Sequence, residues 1–327
     1  MTRLESLSAP QRSVGLSIKE AFDADLHASN LTNWQQEYDQ TSRGGFHGTI
    51  IELPFNDLQV FKETTSRALQ QRCVVWPDSL WLGIPLGQQA ESRIDGLSVG
   101  DTHIMCRPGE CGFELTTPAQ YELFGVVVKL PMLLRIAHIH DINLRWSELT
   151  QHGRLVLPEK TLSEVRFLLH RLLSSKRMQG MSERLTHDLV MMTLLEVLKV
   201  NQPAPAQTQS YYHRKRIVDQ ARALIHDNPD TPLTVTDLCQ VANVSRRTLQ
   251  YAFESILDIS PIQYLRISRL NGVRRALICA NGGVNVADIA SEWGFWHMSQ
   301  FAKDYRLLFD ERPSAALSQV SAGDMTV

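Results

Sequence analysis

Short apolar runs dominate the first part of the chain, and helical periodicity dominates the rest. Between residues 46 and 129, runs rich in Val, Ile, Trp and Phe recur at fairly even spacing, with Gly, Pro and Asn-Asp turn signals between them. These runs lie at residues 49–53, 58–61, 73–76, 80–84 and 124–128. Short strands separated in this way are typical of a β-sandwich or a β-barrel.

Helical spacing follows after residue 160. Residues 163–173 and 185–200 place apolar side chains at helical intervals, and the second stretch has little polar face. Such a helix is expected to be buried or to pack against a partner chain. Residues 202–210 are rich in Pro, Ala, Gln and Ser without apolar periodicity, which is typical of a linker.

The pattern therefore predicts a multidomain α+β protein. A chain of 327 residues favours about two domains. We expect residues 1–200 to form a domain that is first β-rich and then helical. Residues 201–212 are expected to be the linker, and residues 213–320 an all-α domain.

The all-α part contains an internal repeat. Val235, Asp237, Leu238, Asn243 and Val244 are matched 51 positions later by Val286, Asp288, Ile289, Gly294 and Phe295. Leu249, Phe253, Leu257, Asp258 and Pro261 are matched 52 positions later by Phe301, Tyr305, Phe309, Asp310 and Pro313. We call residues 235–261 the first unit and residues 286–313 the second unit, because a duplication explains the match.

Each unit has the local signals of a helix-turn-helix. Thr234 with Asp237 is a helix start, and Asn285 with Asp288 repeats it. Asn243 and Gly294 then occupy the position where a sharp turn needs a positive φ. Ser245 follows as a good N-cap for the second helix of the first unit. These signals predict two helices joined by a sharp turn in each unit.

The second helix of each unit leaves polar side chains outward. They are Arg246, Arg247, Gln250 and Tyr251 in the first unit and His297, Ser299, Gln300 and Lys303 in the second. Arg and Lys can donate to guanine and Gln can pair with adenine in the major groove, so these eight residues are the predicted DNA-binding set. The alternative is a solvated helix face, which is the usual role of outward polar residues.

A helix of about 18 residues is expected between the units, with Ser260 as N-cap and Pro261 at its first position. Its inward stripe is predicted to comprise Ile262, Leu265, Leu270, Val273 and Leu277. Its arginines are Arg266, Arg269, Arg274 and Arg275. The sequence is compatible with two roles for these arginines, contacts to DNA phosphates or salt bridges to acidic residues.

Composition indicates the cellular compartment of the protein and the charge of its all-α part. Net charge is −2, and residues 213–320 are only slightly basic, with 13 Lys and Arg against 11 Asp and Glu. The N-terminus lacks an apolar export signal, and no run reaches about 18 apolar residues. Five scattered cysteines favour a reducing compartment. We therefore expect a cytoplasmic protein without a membrane segment.

The sequence gives little evidence for a metal site or an enzyme active site. His138, His140 and Asp141 are close in sequence, but the preceding residues indicate a helix, so we assign no metal ligand there. Asp101 and His103 begin a cobalamin-ligand pattern, but Cys106 stands where a glycine is expected. No phosphate-binding or dinucleotide-binding motif is present, and no catalytic residue is assigned. Trp76 and Trp81 are weak candidates for lining an effector pocket, with core packing as the alternative.

The two units resemble the AraC/XylS family of bacterial transcription regulators. The residues that carry the resemblance are Leu249, Phe253, Ser260, Pro261, Tyr264, Arg269, Leu270, Ile289, Ala290, Trp293, Gly294, Phe295, Phe301, Tyr305, Phe309 and Pro313. The resemblance implies an activator whose two units enter adjacent major-groove segments and recruit RNA polymerase. It also implies an N-terminal cupin-like β-barrel that binds a small effector, and helices that form a homodimer.

Some positions depart from the family pattern, and others suggest a subgroup. Asp258 and Asp310 stand where glycine is common, and Tyr251 stands where arginine is common, which puts a base contact at Tyr251 in doubt. Residues 34–40, 46–48 and 75–77 are similar to regulators of ethanolamine utilisation operons. That similarity implies ethanolamine together with cobalamin as effector.

Two other functions remain open from sequence. One is a metal-dependent β-barrel enzyme with a helical appendage. The other is a DNA-architectural protein without effector control.

Overall fold

The computed structural model describes residues 15–144, 146, 153–174, 182–203, 207–228, 231–280 and 284–317. Among them, an N-terminal domain of two β-sheets and four helices precedes an all-α C-terminal domain. All the strand pairings are antiparallel. This arrangement confirms the predicted α+β organisation.

The first sheet has eight strands in the order β1-β3-β4-β11-β6-β9-β12-β13. They are β1 (Ser17–Ala21), β3 (Gly48–Pro54), β4 (Leu58–Thr65), β11 (Tyr121–Lys129), β6 (Ser79–Pro85), β9 (His103–Pro108), β12 (Arg154–Val156) and β13 (Gln202–Pro203). The second sheet has five strands in the order β2-β5-β10-β7-β8. They are β2 (Gln35–Gln40), β5 (Leu69–Val74), β10 (Phe113–Thr117), β7 (Ser92–Ile94) and β8 (Leu97–Val99).

The described strands form two open sheets rather than the closed cupin-like barrel that the sequence suggested. Each sheet runs from one edge strand to another, so the hydrogen-bonded ladder does not close. Aromatic residues fill the space between the sheets, where Trp81 stacks on Phe113 with ring centroids 4.7 Å apart. A sandwich satisfies the alternating pattern as well as a barrel does, which is why the sequence left both possible.

Four helices belong to the N-terminal domain: α1 (Ala24–Ala28), α2 (Leu130–Ile139), α3 (Glu159–Leu172) and α4 (Glu183–Val200). Leu133, Leu169 and Leu195 share one buried cluster with residues of the first sheet, so α2, α3 and α4 cover that sheet. Helix α4 is not buried all round, because Leu185 is 58% exposed and Met192 is 41% exposed. The helix to which His138 belongs is confirmed as α2.

The C-terminal domain comprises α5 (Gln209–Asp227), α6 (Val235–Ala242), α7 (Arg246–Leu257), α8 (Pro261–Cys279), α9 (Val286–Glu292) and α10 (Met298–Phe309). Two separate buried clusters divide it. Residues of α5, α6, α7 and the start of α8 form one, and residues from the rest of α8, α9 and α10 form the other. Each unit therefore has its own core, and α8 joins them.

Two predicted boundaries differ from the structure. Helix α5 begins at Gln209, because the side chain of Thr208 caps it by accepting a bond from the N–H of Tyr211. Strand β13 also pairs with β12 inside the stretch expected to be a linker. The remaining linker residues 204–206 lie outside the described residues.

The predicted inward stripe of α8 is confirmed except at Ile262, which is 51% exposed. Tyr264 takes the inward place and lies against Phe253, with ring centroids 5.6 Å apart. The larger aromatic ring fills the space beside α7, so Ile262 stays at the surface.

No helix of the described residues has the length and apolar content required to cross a membrane. Likewise, the described part of the chain contains no cluster of three or more metal-ligating side chains.

Candidate nucleic-acid interface

The first unit is fixed by two caps and a left-handed residue. The N–H of Asp237 donates to Thr234 Oγ1 at 3.3 Å, and the N–H of Thr234 donates to the Asp237 carboxylate at 2.7 Å. The main-chain N–H and the hydroxyl of Thr234 both donate to the Asp237 carboxylate, and these two bonds lower the pKa of Asp237. Asn243 ends α6 with φ 50°, and Ser245 caps α7 through the N–H of Thr248 at 3.2 Å. The predicted turn and caps of this unit are confirmed.

The second unit repeats this geometry with different residues. Asn285 caps α9 by accepting from the N–H of Ala287 at 3.0 Å, and Gly294 turns the chain with φ +78°. The N-cap of α10 is His297. Asp258 and Asp310 end α7 and α10 in the left-handed conformation, both with φ 60°. The turns therefore tolerate aspartate where the family often has glycine.

The polar residues of the predicted DNA-binding set lie at the surface. Exposed side chains are those of Arg246, Arg247, Tyr251, His297, Ser299, Gln300 and Lys303, and that of Gln250 is half-buried. Their inward neighbours Leu249, Phe253, Phe301 and Tyr305 are buried. Both helices therefore have the two faces that a recognition helix needs.

Tyr251 has a cationic partner that sequence reasoning missed. The Arg214 guanidinium of α5 lies 5.5 Å from the centroid of the Tyr251 ring, in cation–π contact. Tyr251 is 60% exposed, so the pair borders the first unit's outward face. This contact places a positive charge next to the position where the family often carries arginine.

The four arginines of α8 divide between local and interdomain contacts. Arg266 pairs with Asp304 of α10, and Arg269 donates to the carbonyl of Leu233. Arg274 pairs with Asp23 of the N-terminal domain and with Glu311. The salt-bridge alternative therefore describes Arg266 and Arg274, whereas Arg269 is bonded to a main-chain carbonyl.

Arg275 joins α8 to three acidic residues of the N-terminal domain. Its guanidinium pairs with Asp39, lies 3.2 Å from Asp25 and lies 3.8 Å from Glu37. Burial alone would lower the pKa of Arg275, but these carboxylates raise it above its usual range. For Arg274, burial likewise lowers the pKa, but Tyr305, Asp23 and Glu311 raise it above its usual range. Both side chains therefore stay charged at the interface.

An amide–backbone pair lies beside these arginines. The N–H of Gln40 on β2 donates to Asn271 Oδ1 at 3.0 Å, and Asn271 Nδ2 donates to the Gln40 carbonyl at 3.1 Å. The side chain of Gln40 in turn donates to the carbonyl of Leu308 at 2.7 Å. The edge strand β2 is therefore held against α8 and the end of α10, which belong to the second unit's core.

Helix α5, which packs in the core of the first unit, contacts the same sheet. Arg222 pairs with Glu114 on β10 and donates to the Tyr264 hydroxyl at 3.0 Å. Arg72 on β5 contacts His226 Nδ1 at 2.7 Å and donates to Glu37 at 3.1 Å. Burial raises the pKa of Glu114, while Arg222 opposes that shift. The second sheet therefore contacts helices from the cores of both units.

A cleft of about 640 Å³ lies between this sheet and α5. Charged residues from both domains line it, among them Glu37, Arg72, Glu114, Lys215 and Arg222. The weak effector candidates Trp76 and Trp81 lie elsewhere. Both are buried between the sheets, and Trp76 also borders a cleft of about 370 Å³.

Residues 238–319 match the protein family described as "Helix-turn-helix domain". The match covers the main part of both units and the helix between them. This part of the chain is therefore similar in sequence to helix-turn-helix domains.

The relatives of this helix-turn-helix domain include proteins that are named as regulators or activators of operons. The "Probable thc operon regulatory protein" of Rhodococcus erythropolis is 34% identical over 105 residues, 32% of each chain. The "XylDLEGF operon transcriptional activator 3" of Pseudomonas putida is 31% identical over 125 residues, 38% of this chain and 37% of the relative. The chain thus spans about a third of the length of these relatives.

Parts of the chain are also similar to solved structures. A probable AraC family transcriptional regulator from Rhodopseudomonas palustris has 29% identity and a TM-score of 0.30, covering 32% of this chain and 96% of that one. The fatty acid-bound ToxT of Vibrio cholerae has 13% identity and a TM-score of 0.30, covering 90% of this chain and 98% of that one.

Proposed function

We propose that this protein is a sequence-specific DNA-binding regulator of transcription, an activator of a catabolic operon controlled by a small effector. The observation that carries the proposal is the pair of helix-turn-helix units, each with an exposed polar face on its second helix. Helix α8 has 19 residues and spans about 28 Å, which suits two recognition helices about one DNA turn apart.

In this proposed function, each outward residue contacts the part of DNA that suits its side chain. Arg247 of the first unit and Lys303 of the second donate to guanine, and Gln250 and Gln300 pair with adenine. Ser299 donates to or accepts from either base. Tyr251 with Arg214 borders the phosphate backbone, because a cation stacked on a ring at the edge of the face can still reach a phosphate oxygen.

Control by an effector would act through the interdomain contacts. The second sheet contacts α5, which packs on the first unit, through Arg222 and His226. It contacts α8, which joins the two units, through Asn271 and Arg275. An effector that changes the N-terminal domain therefore changes how the two units are held. Such coupling is reciprocal, so DNA would change effector affinity by the same factor.

The effector itself follows from resemblance alone. Similarity to ethanolamine-operon regulators suggests ethanolamine with cobalamin, and RNA polymerase and a second copy of the chain are the further partners that we propose. Screening small amines, aromatic acids and cobalamin by thermal shift tests this part, because a ligand that binds only the folded state raises the melting temperature.

DNA binding is tested with duplexes selected from a random library by the full-length protein. We expect a footprint of about 17–20 base pairs per chain. The double variant Arg247→Ala with Lys303→Ala should lose about 100-fold in specific affinity, since each base contact contributes about 1–3 kcal/mol.

The control variant carries Arg184→Ala with Lys199→Ala, which removes the same charge from exposed positions of α4. It should bind like the wild type. Undiminished specific binding by the double variant would show that the recognition faces are wrongly assigned, and failure of the wild type to select any sequence would refute the proposed function.

A further inference from the structure

The turn of the second unit is one residue longer than the turn of the first. In the first unit the left-handed Asn243 is followed by Val244 and then by the N-cap Ser245. In the second unit the left-handed Gly294 is followed by Phe295, Trp296 and then the N-cap His297. This extra residue explains why the repeat changes from a 51-residue to a 52-residue spacing between its two helices.

Neighbouring apolar residues of this turn fill the interior. The ring of Trp293 lies against Gly272 of α8, where a Cβ atom would come within 2.1 Å of it. Phe295 packs against Phe301 with ring centroids 5.0 Å apart. The core of the second unit is therefore already closed by the residues on either side of Gly294.

Trp296 lies outside that core. Its side chain is 71% exposed, the same exposure as Phe22 and the highest value among the exposed large apolar residues of the described chain. An indole contributes a large apolar surface, and leaving it in water without a partner is unfavourable. A partner that covers this indole would therefore gain affinity from it.

The location of Trp296 indicates which partner that is. It directly precedes His297, the N-cap of α10, and exposed Ser299 and Gln300 follow within the first turn of the helix. The N-terminal end of a recognition helix is the part that meets base edges in the major groove. The apolar group presented there is the C5-methyl of thymine, and apolar side chains contact it.

We propose that Trp296 is a base-reading residue of the second unit that covers a thymine methyl group in the half-site bound by α10. This inference rests on the proposed function. The first unit has Ser245 at the start of α7 and no inserted residue, so it lacks an equivalent group. The two half-sites are then read differently, and this asymmetry orients the protein on its operator.

The experiment uses the full chain and the DNA duplex that it selects from a random library. Each thymine is replaced in turn by uracil, which removes only the methyl group. We expect one or two such replacements, all within one half-site, to weaken wild-type binding about fourfold, the effect of one buried methyl-sized group. The variant Trp296→Ala should bind the thymine duplex about tenfold more weakly, and uracil should then have no further effect.

The variant Trp296→Phe keeps an apolar ring and should retain part of the uracil sensitivity. Because Trp296 is exposed, each variant should melt within about 1 °C of the wild type, which separates a contact from a folding defect.

Three outcomes would overturn the inference. If Trp296→Ala binds with unchanged affinity and unchanged uracil sensitivity, the residue is not part of the DNA interface. If it keeps full DNA affinity while transcription by RNA polymerase falls, Trp296 is a polymerase contact. If the wild type selects no sequence at all, the proposed function fails and this inference with it.

Discussion

The side-chain amide of Asn271 on α8 forms two hydrogen bonds with the main chain of Gln40, as the backbone of a neighbouring β-strand would. Its amide accepts from the Gln40 N–H at 3.0 Å and donates to the Gln40 carbonyl at 3.1 Å, and both groups are buried. These two atoms of Gln40 lie on the edge strand β2, and the residue that satisfies them belongs to the DNA-binding domain. The contact therefore ties the second sheet to the helix that joins the two helix-turn-helix units.

We expect Asn271→Ala to weaken docking of the domains. The substitution leaves a buried N–H and a buried carbonyl of Gln40 without partners, which costs about 1–3 kcal/mol. We expect the wild type to unfold in urea in a single transition and the variant to unfold in two. The matched control is Asn143→Ala at an exposed loop position, which should unfold like the wild type. Unchanged stability of the Asn271 variant would show that this contact does not hold the domains.

Arg275→Ala should have a larger effect at the same interface. It removes the partner of Asp39, a buried carboxylate, and loss of one member of a buried ion pair costs about 3–5 kcal/mol. We expect limited proteolysis to cleave between the domains of this variant faster than in the wild type. Arg171→Ala, at an exposed position of α3, serves as the control. Equal cleavage rates would contradict a role of Arg275 in docking.

The sequence predicted the helix-turn-helix units because their determinants are local. Thr234 and Asp237 lie three residues apart, and the turns at Asn243 and Gly294 depend on the conformational freedom of single residues. Sequence patterns could not predict the partners of Arg274 and Arg275. Their carboxylate partners in the N-terminal domain are more than 230 positions away in the chain. In the sequence, nothing about an arginine on a predicted helix distinguishes a phosphate contact from an interdomain salt bridge.

Packing between residues that are distant in sequence also explains the remaining differences between the predictions and the structure. Ile262 has the correct helical spacing for the core, but Tyr264 occupies that space, and packing of two apolar candidates is decided by shape. The open sheets were one of two arrangements compatible with alternating strands. The contact of Arg214 with Tyr251 joins two helices 37 positions apart, and only the observation that Tyr251 replaces a common arginine could have prompted a search for another cation.

Arg214→Ala should weaken DNA binding without changing sequence preference. Loss of one phosphate contact reduces the slope of log affinity against log salt by about one, and it acts on all sequences equally. Binding isotherms at several salt concentrations measure this slope, with Arg216→Ala on the same helix as the control, since its exposed side chain lies outside the Tyr251 contact. An altered base preference with an unchanged slope would contradict the phosphate assignment.

Gly272→Ala should destabilise the second unit. A Cβ atom there would lie 2.1 Å from the Trp293 ring, and overpacking of this kind costs about 1–3 kcal/mol. Thermal unfolding should therefore shift to lower temperature, whereas Gly112→Ala, where the nearest atom is at 3.8 Å, should have little effect. Equal melting of the two variants would show that α8 and α9 separate easily at Trp293.

The central claim is that two units of one chain read two adjacent segments of DNA, and half-site footprinting tests it most directly. On the selected duplex, we expect the wild type to protect two regions about one helical turn apart. Arg247→Ala should weaken protection of one region and Lys303→Ala protection of the other. If both substitutions weaken the same region, or neither weakens protection at all, the two-unit account of this protein is contradicted.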